Sequence, residues 1–367
     1  MSQQLKRLEA IRQSTTDSAL AVELTARIAV ILARLGRFED ANATVKVLRR
    51  DHGDWRSGRI HVWIMLSEAV IDWYEKLSHK ALDRVTRVQV LSGAMGYSEM
   101  HAIASAWKAH IQFESSDFNG MFRSIESVFQ SSSIKNSDAN VRVAIVLSSA
   151  FALCGDLVNA QDWFTRGRGY ALAEGDQASV EALQYNRAVL SLTCMRAESC
   201  ANIISQDRLR SVRREIESSR NLHLMTRISA LANHLYLADA RLLILEGEYV
   251  KAANSLGLVR NEGPFASYHF SQFAIDLDIS YCRFRLNALE DAYALFATID
   301  LSSLVDLDVD DQLMCNHIRL EMANIDPRFG NPNEIRQRKA ELALAYLKSR
   351  AELATGLHPF AAKRPLG

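Results

Sequence analysis

The sequence predicts an all-α fold, an array of stacked helical hairpins. Three features carry that expectation: the position of proline, the spacing of β-branched residues, and a period of about forty residues. All five prolines lie at or beyond Pro264, so the residue that breaks helices is absent from everything before it. That stretch is rich in Ala, Leu, Arg and Glu, which lose little conformational freedom in a helix. Val, Ile and Thr recur at helical spacing, not in the alternation that a half-buried strand requires.

Composition narrows the function classes. The chain has 367 residues, 43 basic and 43 acidic side chains, and is 48% hydrophobic. Ordinary apolar content with zero net charge excludes disorder as the dominant state. The missing basic excess argues against nucleic acid and against an anionic membrane as partners. The longest uncharged run, Val143 to Gly155, is shorter than the ~18 residues a membrane-spanning helix needs. The opening MSQQLKRLEAIRQS has no apolar signal core, so a cytoplasmic protein is expected. The five cysteines, Cys154, Cys194, Cys200, Cys282 and Cys315, form no C-x-x-C pair and read as small core residues in a reduced compartment.

Taken in order, residues 1–19 predict an N-terminal capping helix, Gln3 to Gln13, with Ser14 to Asp17 as turn and N-cap. Residues 20–300 carry the period. A small residue recurs at Ala29, Ala69, Ala109, Ser148, Ala188, Ala240 and Ser280, at spacings of 40, 40, 39, 40, 52 and 40. The first inward position of each second helix falls at Ala41, Ala81, Met121, Ala160, Cys200, Ala252 and Ala292. Four residues on, every unit is apolar: Val45, Val85, Ile125, Phe164, Ile204, Leu256 and Phe296. Two helices approach closely only where one side chain is small, and a large apolar neighbour one turn later fills the space beside it. Three columns in phase over seven units predict seven hairpins.

The turns between paired helices repeat as well. Leu35-Gly36-Arg37-Phe38-Glu39-Asp40-Ala41, Cys154-Gly155-Asp156-Leu157-Val158-Asn159-Ala160 and Glu246-Gly247-Glu248-Tyr249-Val250-Lys251-Ala252 share one pattern, with a weaker copy at Leu286 to Ala292. Each places Gly or Asn where a helix ends in a left-handed residue. This resembles the tetratricopeptide repeat, in which Gly-x-Tyr-x-x-Ala joins the two helices. The longer period is similar to the helical-repeat domains of MalT-like regulators and of peptide-sensing regulators of Gram-positive bacteria. The resemblance covers roughly residues 20 to 300 and implies a right-handed α-solenoid. The DNA-binding and ATPase modules of those relatives have no counterpart in the motifs here.

The 52-residue spacing marks a 12-residue insertion near 200–220. Arg210, Arg213 and Arg214 share a helical face there, and Arg213 is expected to pair with Glu217. This is either a longer solvated helix or a secondary partner-binding projection. Residues 301–357 predict a C-terminal capping hairpin, with helices near 308–324 and 333–354, and residues 358–367 a frayed tail. Charge is uneven: residues 264–327 are acidic and 328–367 basic, a solvated pattern or one that steers a partner.

Chemistry is hard to find in this chain. No P-loop, H-E-x-x-H, G-x-S-x-G or zinc spacing occurs. The run from Asp306 to Asp311 fails as a calcium loop, having Asp311 where Gly is needed and His317 where Glu is needed. Asp51-His52-Gly53-Asp54 reads as a turn. No catalysis, cofactor or metal is expected. In tetratricopeptide arrays the first helix of each pair lines a concave groove. The resemblance therefore implies groove positions at Trp63, Trp73, Tyr74, Trp107, His110, Phe113, Glu114, Arg142, Tyr185, Asn186, His234, Arg241, Asp278, Tyr281 and Arg285. Half of the aromatics, Trp73 and Phe113 foremost, are expected in the hairpin core instead. The leading expectation is a scaffold or adaptor that holds a protein or peptide segment in this groove, with self-association left open. The alternative is a ligand- or peptide-responsive regulator of a separate effector.

Overall fold

Helices account for the whole described architecture, and no strand occurs among the described residues. The computed structural model describes residues 2–52, 58–76, 80–131, 137–201, 205–228, 232–261 and 272–361. Part of the turn at 51–54, Ile204 and the end of the tail lie outside them. The chain divides into two compact units, one of residues 1–186, 222–231 and 353–367, the other of 187–221 and 232–352.

The first unit opens with α1 (Gln3–Ser14) and continues as helix pairs: α2 (Ser18–Arg34) with α3 (Phe38–His52), α4 (Gly58–Lys76) with α5 (Lys80–Ala94), α6 (Ser98–Glu114) with α7 (Phe118–Gln130), and α8 (Ser137–Leu153) with α9 (Leu157–Glu174). Successive first helices also touch, α2 on α4, α4 on α6 and α6 on α8. Asp17 caps α2, its Oδ1 accepting from the Ala19 and Leu20 amides. The small-residue column is buried at Ala29, Ala69, Ala109 and Ser148, and the facing column at Ala41, Ala81, Met121 and Ala160. The turns follow one backbone scheme. At Gly36 and Gly155 the chain takes positive φ, and the next amide reaches back to the fifth preceding carbonyl, Arg37 to Leu32 and Asp156 to Phe151. Ser116 does the same at φ 57° without being glycine, and Asp117 then caps α7.

The second unit holds α12 (Ala232–Leu245) with α13 (Tyr249–Asn261) and α14 (Gln272–Arg285) with α15 (Leu289–Phe296). Here too Ala240, Ser280, Ala252 and Ala292 are buried, and Gly247 and Asn287 supply the left-handed turns. After α16 (Val309–Ile325), Phe329 is fully buried among Phe284, Tyr293 and Phe296, which closes this core.

Three expectations need correction. The fifth pair does not place Cys200 at the start of its second helix: α10 (Gln177–Ser199) ends just before it, and α11 runs Gln206–Thr226. The inserted residues lengthen both helices, to 23 and 21 residues against 17 and 18 for α8 and α9, so Leu209, Val212 and Ile216 take the inward positions. The last helix, α17 (Pro332–Ala361), runs past the expected end near 354 and takes in residues 358–361 of the tail expected to fray. Its Leu353, Leu357 and Phe360 belong to the first unit, where Phe360 stacks on Phe122 at 5.9 Å and lies against Phe129 at 6.2 Å. Finally, α1 does not cap an end of the array.

A 12-residue helix is marginal by itself, so α1 is held by what it touches. Leu5 and Leu8 are buried in the same core as α2, α4, α6 and α8, which is worth ~1.5–3 kcal/mol for each leucine before ordering costs. At the far side, the Gln4 amide donates to the Gly175 carbonyl at 3.2 Å and Arg7 pairs with Glu174. The helix lies across the face that the first helices of the pairs present.

Candidate functional site

The groove positions of the first unit converge, but under α1 and out of solvent. Trp63, Trp73, Trp107, His110, Phe113 and Arg142 are all buried, Trp107 and Arg142 at 4% exposure, and Tyr74 is half-buried. Gln4 and Leu8 of α1 lie over Trp63, Trp107 and Arg142, whereas Trp73 packs edge-on against His110 and Phe113 against Phe118 of α7. Glu114 stays exposed, while Tyr185 and Asn186 are half-buried, Asn186 donating to Ser149 Oγ at 3.3 Å.

Each buried group has a defined companion. Trp63 Nε1 donates to the Tyr97 hydroxyl at 3.0 Å, which in turn donates to Glu23 at 3.2 Å. Trp107 meets Tyr74 and His110 edge-on at ring separations of 6.0 and 5.9 Å. The Arg142 guanidinium lies 3.8 Å from the centre of the Trp107 ring. Burial lowers the Arg142 pKa, opposed by the nearby Tyr74 phenol. His110 is held far below the ordinary histidine range by burial, then by Arg142 and Arg34, so it is neutral.

Arg34, the last residue of α2, reaches a segment 142 residues further along the chain. Its Nη2 donates to Asp176 at 2.9 and 2.8 Å and to Ser179 Oγ at 2.5 Å. Asp176 also caps α10 by accepting from the Ser179 amide at 3.1 Å. Burial alone would raise the Asp176 carboxyl, but Arg34 beside it holds it below its usual range. Between α1 and this cluster lies a cavity of about 40 Å³, lined by Gln4, Arg27, Arg34, Trp107, Asp138 and Arg142 among others.

Arg27, Arg34, Asp138 and Asp176 were absent from the groove expectation. Extending its own columns to the first pair would have found two of them. Arg27 stands two residues before Ala29 as Trp107 stands before Ala109, and Arg34 five after Ala29 as Tyr74 and Glu114 follow theirs. Asp176 carries no such signal, since only the fold brings it beside Arg34.

In the second unit the remaining positions form two groups. Arg241 is buried, with Nε donating to Asp278 at 3.1 Å and Nη1 3.5 Å from Asp311, which Arg196 also meets at 2.9 Å. Tyr281 donates to Glu321 at 2.5 Å and accepts from Arg285 at 2.8 Å. His234 is buried, and burial holds its pKa at about 3.

The inserted arginines have a different setting. Arg213 turns away from Glu217: its Nε donates to Glu246 at 2.9 Å and its Nη1 to Asp239 at 2.9 Å, both more favourably placed across the helix interface. Arg210 pairs only with exposed Asp207, at 2.5 Å, and Arg214 is exposed with no ion-pair partner among the described residues. With Leu209 and Leu245 they line an open groove of about 800 Å³ on α11 and α12. Among the described residues no group of three His, Cys, Asp or Glu is placed to hold a metal, and no helix is long and apolar enough to cross a membrane. No protein-family profile matches the chain, and no curated protein matches it significantly.

Proposed function

We propose that this chain is a non-catalytic interaction protein, a right-handed superhelix of tetratricopeptide-like hairpins that holds a segment of a partner protein. The observation that supports this reading is the open groove on α11 and α12. It joins an apolar base, Leu209 and Leu245, to two arginines with little else to bind. Arg210 with Asp207 is an exposed pair of the kind that contributes little to stability, so both arginines are available to a partner. Arginine beside a small apolar floor is the composition of an interface anchor. The segment that fits is one with acidic side chains flanking an apolar residue.

The test is a partner recovered by cross-linking to the wild-type chain, purified, and titrated calorimetrically against Arg210→Glu/Arg214→Glu. A loss of affinity of about 10-fold or more is expected, with an unchanged unfolding midpoint. Retained affinity, or a loss that only tracks stability, would refute this surface. The second reading, a ligand-responsive regulator, draws its support from the cavity behind α1.

A further inference from the structure

We propose that the cavity behind α1 is a binding site for a small carboxylate. The charge around it does not balance. Arg27, Arg34 and Arg142 face it against two carboxylates, Asp138 and Asp176. Both carboxylates are already engaged: Asp138 accepts from Arg27 at 3.2 Å and from Gln4 at 3.5 Å, and Asp176 accepts twice from Arg34. Arg142 touches the face of Trp107 and the Tyr74 phenol, and the carboxylate that favours its charge, Asp176, is already bonded to Arg34 and does not offset its burial. A buried cation without an anion is costly, and a bound carboxylate removes that cost.

Donors are also left over. Arg34 Nε is buried with no partner. Gln4 Oε1 is unpartnered too, and a half-turn of that amide would point its NH₂ at the cavity for the loss of one long bond to Asp138. The planar Arg142 guanidinium suits a carboxylate that accepts two parallel N–H bonds.

Size selects the ligand. One water needs ~10–15 Å³ of this kind of space, so about 40 Å³ holds three or four heavy atoms. Formate and acetate fit; a sugar acid such as gluconate does not. The bound anion would touch Gln4 on α1, Arg34 on α2 and Arg142 on α8, and so fasten α1 to the face it covers. This site is independent of the partner groove, and its test uses the isolated full-length chain.

The unfolding midpoint is followed in increasing sodium formate, acetate or chloride, with ionic strength kept constant by sodium gluconate. Formate and acetate should each raise it saturably, on the order of 2–4 °C, and more than chloride at equal concentration. Arg142→Gln should abolish that dependence. Tryptophan emission of the wild type supplies a second readout, because Arg142 rests on Trp107: it should shift with the same half-saturating concentration, whether or not the variant folds. The proposal fails if neither readout saturates, if chloride matches the carboxylates, or if the response survives in Arg142→Gln.

Discussion

Arg142 in the first unit and Arg241 in the second are buried almost equally, and their surroundings answer the burial in opposite ways. Arg241 sits between Asp278 and Asp311, which outweigh desolvation and raise its pKa. Arg142 has an aromatic face and a phenol, and burial prevails to lower its pKa. Around Arg241 the second unit has therefore matched its buried charge, while around Arg142 the first keeps one cation in excess beside a cavity. Burial of a charged side chain is thus a poor guide to its role; what faces it decides whether it is a structural tie or a group with capacity to bind.

Removing carboxylates gives the largest expected effects and the sharpest test of that contrast. Asp176→Ala strips Arg34 of the carboxylate whose two oxygens accept from its Nη2, in a region already over-supplied with positive charge, at an expected cost of ~3–5 kcal/mol. Asp278→Ala should cost visibly less, because Asp311 still faces Arg241. Urea-unfolding midpoints of the two variants decide it; equal losses would mean that the two interiors are compensated alike.

Acid gives a smaller effect, of known sign. An unfolded histidine takes up its proton near pH 6.5, whereas buried His234 does so only near 3 and His110 likewise far below its ordinary value. Below about pH 6.5 the unfolded chain binds protons that the folded chain refuses, so stability falls as pH falls. Each histidine contributes up to ~1.4 kcal/mol per pH unit across that window. Midpoints in urea at pH 7, 6 and 5 should decline, and His110→Gln should decline less steeply than the wild type. Parallel slopes would show that His110 is protonated in the fold.

The small-residue columns were legible because they answer a local demand: a hairpin cannot close around Ala109 or Ala188 if either is large. The left-handed turns were legible for the same reason at Gly36, Gly155 and Gly247, while Ser116 was marked only by its phase. The fifth pair was misread because an insertion can be absorbed in either helix. The columns cannot tell whether Cys200 ends one helix or begins the next. The covering of the inner face was not legible at all. Nothing in Leu5 or Leu8 says where α1 will lie, and the meeting of Arg34 with Asp176 is a product of how far the chain turns over four hairpins.

The central claim is that α1 lies on the inner face of the first unit and keeps Trp107 and Arg142 from solvent. Hydrogen exchange of the amides of residues 7 to 14, read by mass spectrometry or NMR on the full-length chain, tests it directly. A short helix alone exchanges almost as fast as unfolded peptide, whereas a packed one exchanges only when its unit opens. Protection comparable to that of α6 is the predicted result. Exchange at the rate of a free peptide, with α6 still protected, would contradict it.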